Sequence, residues 1–529
     1  MSLGDTMSSH DRATERTPLL ASDAVNEAQE TQLSGVLNVK LKSPGRQIAL
    51  DLLRGLLMVA MAIDHSSLTF NAYNHGTGID SEEASHVITH WNSNLAYILR
   101  TFSHLCAPGF TMLLGVGIAF FTESRLAQGT SPMQFIKHFS LRALGIVAVS
   151  IVSFIVIIIK PPHLYVNAIL AALAIDYALV GFLYVFIIFA VQPSLIKLVK
   201  MVMTFRSNNN NNNNNNNSST PTSASQTQTE SSAKAIASQI INGTLFLASV
   251  LFLWGNIWTS PNKGACLPAA SIESGWDTID EHCVINRHFP FYLFFRSLSC
   301  PNFHFVSGFP PFGWIAFAFF GLLYGRILIH GRFKTTSKVI VFNITLSLVL
   351  ALLFISTRLL SYGNLSTNCL ATPDQLHHHH HPSSSSSSNQ YLDSFKSFFY
   401  IAKYPPSPAF AFFTLSICYM LIAAFTAISI TFQSFISRFN PLLVYGTQPL
   451  FFYGFHLLFL QIMSPLVLNS RFAHPMPKGT GRPGVSTGLG LTWTFGVAYL
   501  LVMIVMYIAC WQYSKFKIHR GRDSLWRFL

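Results

Sequence analysis

Charged residues are what this chain lacks most: only 10% of its 529 residues are Asp, Glu, Lys or Arg, against roughly 25% in soluble domains. That deficit excludes a water-soluble fold for most of the chain and points to lipid as the solvent. The charge that is present sums to +13, but the bases are scattered through short loops. No basic stripe with interleaved aromatics occurs, so no nucleic-acid partner is expected, and positive-inside loops explain the excess better. A cleavable signal peptide is not expected either. Residues 1–46 are polar and rich in Ser, Thr and Glu, the composition of a disordered tail. Nor is there a convincing internal repeat of the kind that builds many transporters.

What the chain has is apolar mass. Half of it is hydrophobic, 46 residues are Phe, and the mean hydropathy is +0.40. A span needs about 20 mostly apolar residues to cross roughly 30 Å of hydrocarbon. Such runs fall at 48–66, 103–122, 141–159, 167–190, 236–257, 312–330, 339–360, 408–429, 441–463 and 491–512. The expected fold is therefore all-α, a polytopic transmembrane helical bundle of about ten spans embedded in membrane lipid. The run at 167–190 is long and carries Asp176, so it is expected to be tilted or broken. With the N-terminus in the cytosol, cytosolic segments carry about twice as many Lys and Arg as the opposite side. This favours cytosolic N- and C-termini.

Cysteine placement gives an independent check. Cys106, Cys418 and Cys510 fall in spans, whereas Cys266, Cys283, Cys300 and Cys369 all fall in two long loops on the non-cytosolic side. Four cysteines there can form two disulfides in three connectivities. The glycosylation sequon Asn364-Leu365-Ser366 lies on that side too. The chain divides into a tail, 1–46, and a transmembrane domain, 47–529, interrupted by low-complexity inserts expected to be disordered, 206–235 and 371–393. The histidine run 377–381 reads as a repeat expansion, and no metal site is expected. In the tail, Glu15-Arg16-Thr17-Pro18-Leu19-Leu20 has the form of an acidic dileucine signal for a cytosolic adaptor complex.

Ionisable residues inside spans cost about 2.5–3.5 kcal/mol each on insertion scales, so they tend to face a cavity or one another. Asp64 and His65 close the first span on its non-cytosolic end. Arg100, His104, Cys106 and Pro108 open the second on that side. Arg358 ends the seventh, Lys403-Tyr404-Pro405-Pro406 leads into the eighth, and His456 lies well across the ninth. Each alone has a bland reading: snorkelling for Arg358 and Lys403, a satisfied core histidine for His456, a span terminus for Asp64 and His65. Their common depth favours a shared polar cavity. At the cytosolic start of the first span, Asp51 and Arg54 share one helical face. They either pair with each other or meet an anionic ligand.

Polarity at both membrane faces suits a transporter, or a transferase that brings donor and acceptor from opposite sides. For the transferase, a neutral histidine is the natural general base. A catalytically silent structural membrane protein is a third class.

Several short motifs, in order, carry a resemblance. They are Arg46 with Asp51-Leu52-Leu53-Arg54-Gly55, Met61-Ala62-Ile63-Asp64-His65, Ser103-His104-Leu105-Cys106-Ala107-Pro108, and Phe309-Pro310-Pro311-Phe312-Gly313-Trp314 with Gly321 and Tyr324-Gly325-Arg326. Lys403-Tyr404-Pro405-Pro406-Ser407, Gln448-Pro449-Leu450-Phe451-Phe452-Tyr453 with His456, and the tail Ser524 to Leu529 complete the set. From about Arg46 to its end the chain resembles the heparan-alpha-glucosaminide N-acetyltransferase catalytic-domain family, and its microbial and fungal branch most. It departs from many relatives in carrying Gln448, where an arginine is expected, before Pro449.

The resemblance implies a transmembrane acetyltransferase that moves an acetyl group from cytosolic acetyl-CoA to a lumenal amino sugar or other glycan. It also implies an acidic organelle, a vacuolar or lysosomal membrane, and is compatible with a homo-oligomer. The implied catalytic histidine is His104 first, His65 second and His90 third, with Asp64 orienting it, Arg100 or Lys403 stabilising the oxyanion, and His456 nearby. Arg54, Asp51, Lys403 and Tyr404 form the implied acetyl-CoA-binding set. A proton-coupled vacuolar or lysosomal transporter using the same charged cavity is the alternative.

Overall fold

A computed structural model describes residues 48–78, 82–157, 164–167, 169–212, 223–266, 293–295, 298–300, 305–331, 333, 335–373, 389–431, 440–476 and 487–520. The tail with its dileucine motif, Cys283, the histidine run and the last nine residues lie outside them.

The described chain is mostly helical. In order it runs α1 (Ile48–Thr69), α2 (Asn94–Ser103), α3 (Cys106–Leu126), α4 (Pro132–Ile157), β1 (Leu164–Asn167), α5 (Ile169–Phe186), α6 (Gln192–Asn212) and α7 (Ser223–Thr259). There follow β2 (Leu298–Cys300), β3 (Phe305–Ser307), α8 (Pro311–His330), α9 (Thr336–Leu359), α10 (Phe395–Phe399), α11 (Pro408–Thr431), α12 (Pro441–Thr447), α13 (Pro449–Leu468), β4 (His474–Pro475), β5 (Thr487–Gly488) and α14 (Trp493–Ile518). Among the described residues, nine helical stretches are long and apolar enough to cross a membrane. Many turn large apolar side chains outward, such as Leu144, Val152, Phe205, Leu352 and Leu500, a surface suited to lipid. The chain is read accordingly as an integral membrane protein.

Helix α1 is not among the nine. It is long enough, but Asp51, Arg54 and Asp64 interrupt its apolar run. Protein buries it instead: Leu52, Leu53, Leu57, Ala60 and Ala62 are almost wholly covered. Its closest neighbour is α12, where glycine on each side permits backbone approach. A Cβ on Gly55 would fall on the Leu442 carbonyl, and one on Gly446 would fall on the Asp51 carbonyl. The same device joins α3 to α8 through Gly115 and Gly321. Small residues serve this purpose in membranes, where helices gain little from excluding water.

Two expected boundaries change. The run at 441–463 is not one helix but α12 followed by α13, because Pro449 lacks the N–H and restricts Gln448, which leaves helical geometry at φ −128° and ψ 50°. Asn440 caps α12, its side-chain oxygen accepting from the Leu442 and Leu443 amides. The stretch around Asp176 is continuous from α5 into α6 through a π-turn at Ile187–Val191. The described flanks of the insert drawn at 206–235 are helical, since α6 runs to Asn212 and α7 begins at Ser223.

At one end of the bundle the loops pair into a cap. Strand β3 runs parallel to β1 and antiparallel to β2. Single bridges join Glu83 to Tyr404, Ile88 to Leu370 and Ala265 to Thr367. The Leu489 amide donates to the Phe70 carbonyl, and a Cys266–Cys369 disulfide closes the cap. These are the loops that strict alternation of spans places on one side. The sequon in this cap does not present an acceptor. Asn364 is buried, its Nδ2 donating to the Thr357 carbonyl at 3.2 Å and the Tyr362 carbonyl at 3.1 Å while its Oδ1 accepts from Arg358. A glycan would break both donations, so peptide mapping of the purified protein should find Asn364 unmodified. A glycosylated Asn364 would contradict this placement.

Candidate functional site

The penultimate turn of α1 carries Asp64, and the segment after the helix folds back to bring Glu82 alongside. The Thr77 amide donates to Glu82 Oε1 at 2.8 Å, and the Glu82 carbonyl accepts from the Lys403 amide at 2.9 Å. Between the two carboxylates sits Arg100 of α2, 1% exposed. Its Nη1 donates to Asp64 Oδ1 and Oδ2 at 2.8 and 2.9 Å. Its Nη2 donates to Glu82 Oε2 at 2.8 Å, and its Nε lies 3.2 Å from the same oxygen. Ser103 adds a hydroxyl donation to Asp64 Oδ1 at 3.1 Å.

Two carboxylates around one arginine leave a net negative charge. The second cation is Lys403, buried against the Tyr404 and Phe309 rings at 5.1 and 6.0 Å and within electrostatic reach of Asp64, His65, His75 and His104. With neutral histidines the cluster is charge-balanced. An uncompensated buried ion would cost several kcal/mol.

The histidines divide into distinct roles. His75 Nε2 lies 2.9 Å from Arg100 Nη1 and must accept from it, so Nδ1 carries the proton. Burial, reinforced by Arg100, pushes its pKa down to about 3, which keeps the ring neutral. His104, four residues after Arg100, is fully buried with Nε2 3.0 Å from Glu82 Oε2. Burial alone would raise the Glu82 carboxyl, but Arg100 and then His104 outweigh it and hold Glu82 well below the usual carboxylate range.

His65 pairs with His456 of α13, Nδ1 to Nε2, at 2.8 Å with ring planes 8° apart. His456 Nδ1 is 2.9 Å from the Phe452 carbonyl, which can only accept. The proton therefore sits on His456 Nδ1, its Nε2 accepts from His65 Nδ1–H, and His65 Nε2 is left with a lone pair. That assignment follows from the hydrogen-bond network. His65 is partly exposed, unlike His104 and His456.

Asp64, His65, Arg100, His104, Lys403, Tyr404 and His456 thus converge. The oxygens of Asp64 face Arg100, Ser103 and, at 3.5 Å, His75 rather than His65 or His104, and His456 is the hydrogen-bond partner of His65. His90 is exposed, its ring nitrogen 3.1 Å from the Thr89 hydroxyl, and stays outside the cluster. The expected acetyl-CoA set is split. Arg54 meets Asp51 at 2.7 Å and the Gly446 carbonyl at 3.3 Å, near the opposite end of α1 from Asp64 and Lys403. Sequence reasoning missed Glu82 and His75. Both lie in the loop between α1 and α2, where no periodicity marks the positions that turn inward.

Fold and site together define a membrane helical bundle with a buried, charge-balanced acid–base cluster at its capped end. The chain matches no protein-family model and no characterised protein sequence.

Replacing Glu82 with Gln leaves Arg100 with one carboxylate, and loss of one partner from a buried pair costs about 3–5 kcal/mol. Thermal unfolding in detergent should show a clear fall in Tm; an unchanged Tm would show that Glu82 is dispensable. The pH dependence has a definite sign. Because the folded His75 has a depressed pKa, the unfolded chain takes up the proton first. His75's contribution is complete above about pH 6.5 and declines toward pH 3, no faster than about 1.4 kcal/mol per pH unit. Glu82 contributes above about pH 4.5 and loses its effect only in stronger acid. Tm should therefore fall between pH 7 and 5, and less in His75→Gln; equal slopes in both proteins would contradict the neutral assignment.

Proposed function

We propose that this chain is a membrane-embedded acetyltransferase, taking acetyl-CoA at the Arg54 end of α1 and an amine acceptor on an amino sugar or other glycan at the Asp64–His65 end. The observation that carries the reading is the His65–His456 pair, which leaves a free imidazole lone pair beside two buried cations. About 17 Å of helix rise separates Arg54 from His65, the order of length of the pantetheine arm. Arg54 meets the phosphates of the co-substrate by charge-assisted hydrogen bonds. His65 Nε2 takes the proton as the acceptor nitrogen attacks the thioester carbon. Lys403 steadies the oxygen that becomes negative. When the carbon–sulfur bond breaks, the proton passes to the departing thiolate.

His65 is preferred over His104 as the base because His104 is sealed beside Glu82. An acidic organelle, with the Glu15–Leu20 motif addressing adaptors from the cytosol, is the location this reading carries. The alternative, a proton-coupled transporter, draws on Asp176, a fully buried carboxyl whose oxygens have no partner among the described residues and for which acetyl transfer has no use.

Purified protein in sealed vesicles, with labelled acetyl-CoA outside and glucosamine inside, tests the proposal. Label should reach the internal sugar, fall about 100-fold or more in His65→Ala, and fall less in His456→Gln. Undiminished transfer by His65→Ala would remove the assigned base. A solute exchanging with a pH gradient and no label transfer would leave the transporter reading standing.

A further inference from the structure

Arg358 ends α9 within reach of the cap. Its neighbours Tyr97 and Tyr400 also feel the charge of Glu82. The guanidinium is completely buried and has two rings near it, its Cζ 4.9 Å from the Phe354 centroid and 4.6 Å from that of Tyr391. Nη1 donates to Asn364 Oδ1 at 2.9 Å. Among the described residues Nε and Nη2 make no well-aligned hydrogen bond and no carboxylate pairs with Arg358, the Tyr391 hydroxyl being the polar group that interacts with the guanidinium besides Asn364. Two more buried donors in the same aromatic cluster are unpartnered among the described residues: the Tyr400 hydroxyl and the Trp91 indole N–H, whose rings lie 5.8 Å apart.

The C-terminal dipole of α9 and the two aromatic faces offset part of the arginine's charge. Neither gives Nε or Nη2 an acceptor. Those two N–H groups form the parallel edge of guanidinium that takes a carboxylate side-on through two hydrogen bonds. Phe354 and Tyr391 pack against the guanidinium, so a ligand would meet Arg358 at its Nε–Nη2 edge. Asn364 fixes the guanidinium at Nη1, through the amide that also holds the Thr357 and Tyr362 carbonyls.

We propose that the Nε–Nη2 edge of Arg358, in the aromatic cluster that also holds the Tyr400 hydroxyl, is a binding site for the carboxylate of a small organic acid or of a larger polyhydroxy acid. The site is separate from the His65 centre and does not depend on acetyl transfer.

The test is thermal unfolding of the purified full chain in detergent, titrated with sodium acetate or sodium gluconate against sodium chloride at constant ionic strength. Saturable stabilisation by acetate alone identifies a small-acid site, and stabilisation by both admits the larger acid. Arg358→Lys keeps the charge but removes the fork and should abolish the carboxylate-specific rise. Tyr400→Phe, which keeps the ring packing, should weaken the half-saturating concentration about tenfold. No carboxylate-specific rise in the wild type would overturn the proposal. So would a rise that Tyr400→Phe leaves unchanged, whatever the fate of the arginine variant.

Discussion

Everything at the capped end depends on one constraint: Arg100 is buried inside a lipid-suited bundle and must be surrounded by acceptors there. Asp64 and Glu82 take its two edges, and His75 takes a remaining proton. That requirement draws α1, α2 and the intervening loop together. It also draws in Lys403 from the far side of the chain, since two carboxylates need a second cation. Such a network is weak evidence for net stability but strong evidence for specific geometry, because removing any member leaves a buried charge unpaired. The neutral histidines follow from the same balance.

Helix α1 links this cluster to the opposite end of the bundle. It is the helix least able to face lipid, and its burial rests on close contact with α12 through Gly55 and Gly446. Arg54 reaches the Gly446 carbonyl at that contact, and the chain break at Gln448 turns into α13, which delivers His456 to His65. One packing contact therefore carries the polar groups at both ends of α1. The cap, closed by the Cys266–Cys369 disulfide and the bridges at Ile88 and Glu83, holds the loop that carries Glu82.

Much of this was legible in the sequence. Apolar runs locate most of the long helices because lipid demands their length. The common depth of Asp64, Arg100, Arg358, Lys403 and His456 points to one shared cavity; Asp64, Arg100, Lys403 and the His65–His456 pair do converge, but Arg358 lies apart against Asn364, Phe354 and Tyr391. Other features depend on geometry between elements and were not legible. The His65–His456 contact joins residues distant in sequence, and only the carbonyl of Phe452 fixes which nitrogen carries a proton. Glu82 lies in a loop without periodicity. Asn364 fits a sequon, yet the fold uses both ends of its amide. Pro449 did signal the break after α12, but the apolar composition on both sides hid it.

The hydrogen bonds make His65 a neutral ring with its proton on Nδ1 and a lone pair on Nε2. Nitrogen-15 NMR of histidine-labelled protein in bilayers at pH 7, with His65→Asn to assign the signal, reads this directly. The expected result is one protonated Nδ1, hydrogen-bonded to His456, and one unprotonated Nε2. An imidazolium signal, or a proton on Nε2, would contradict it and remove the base from the proposed chemistry.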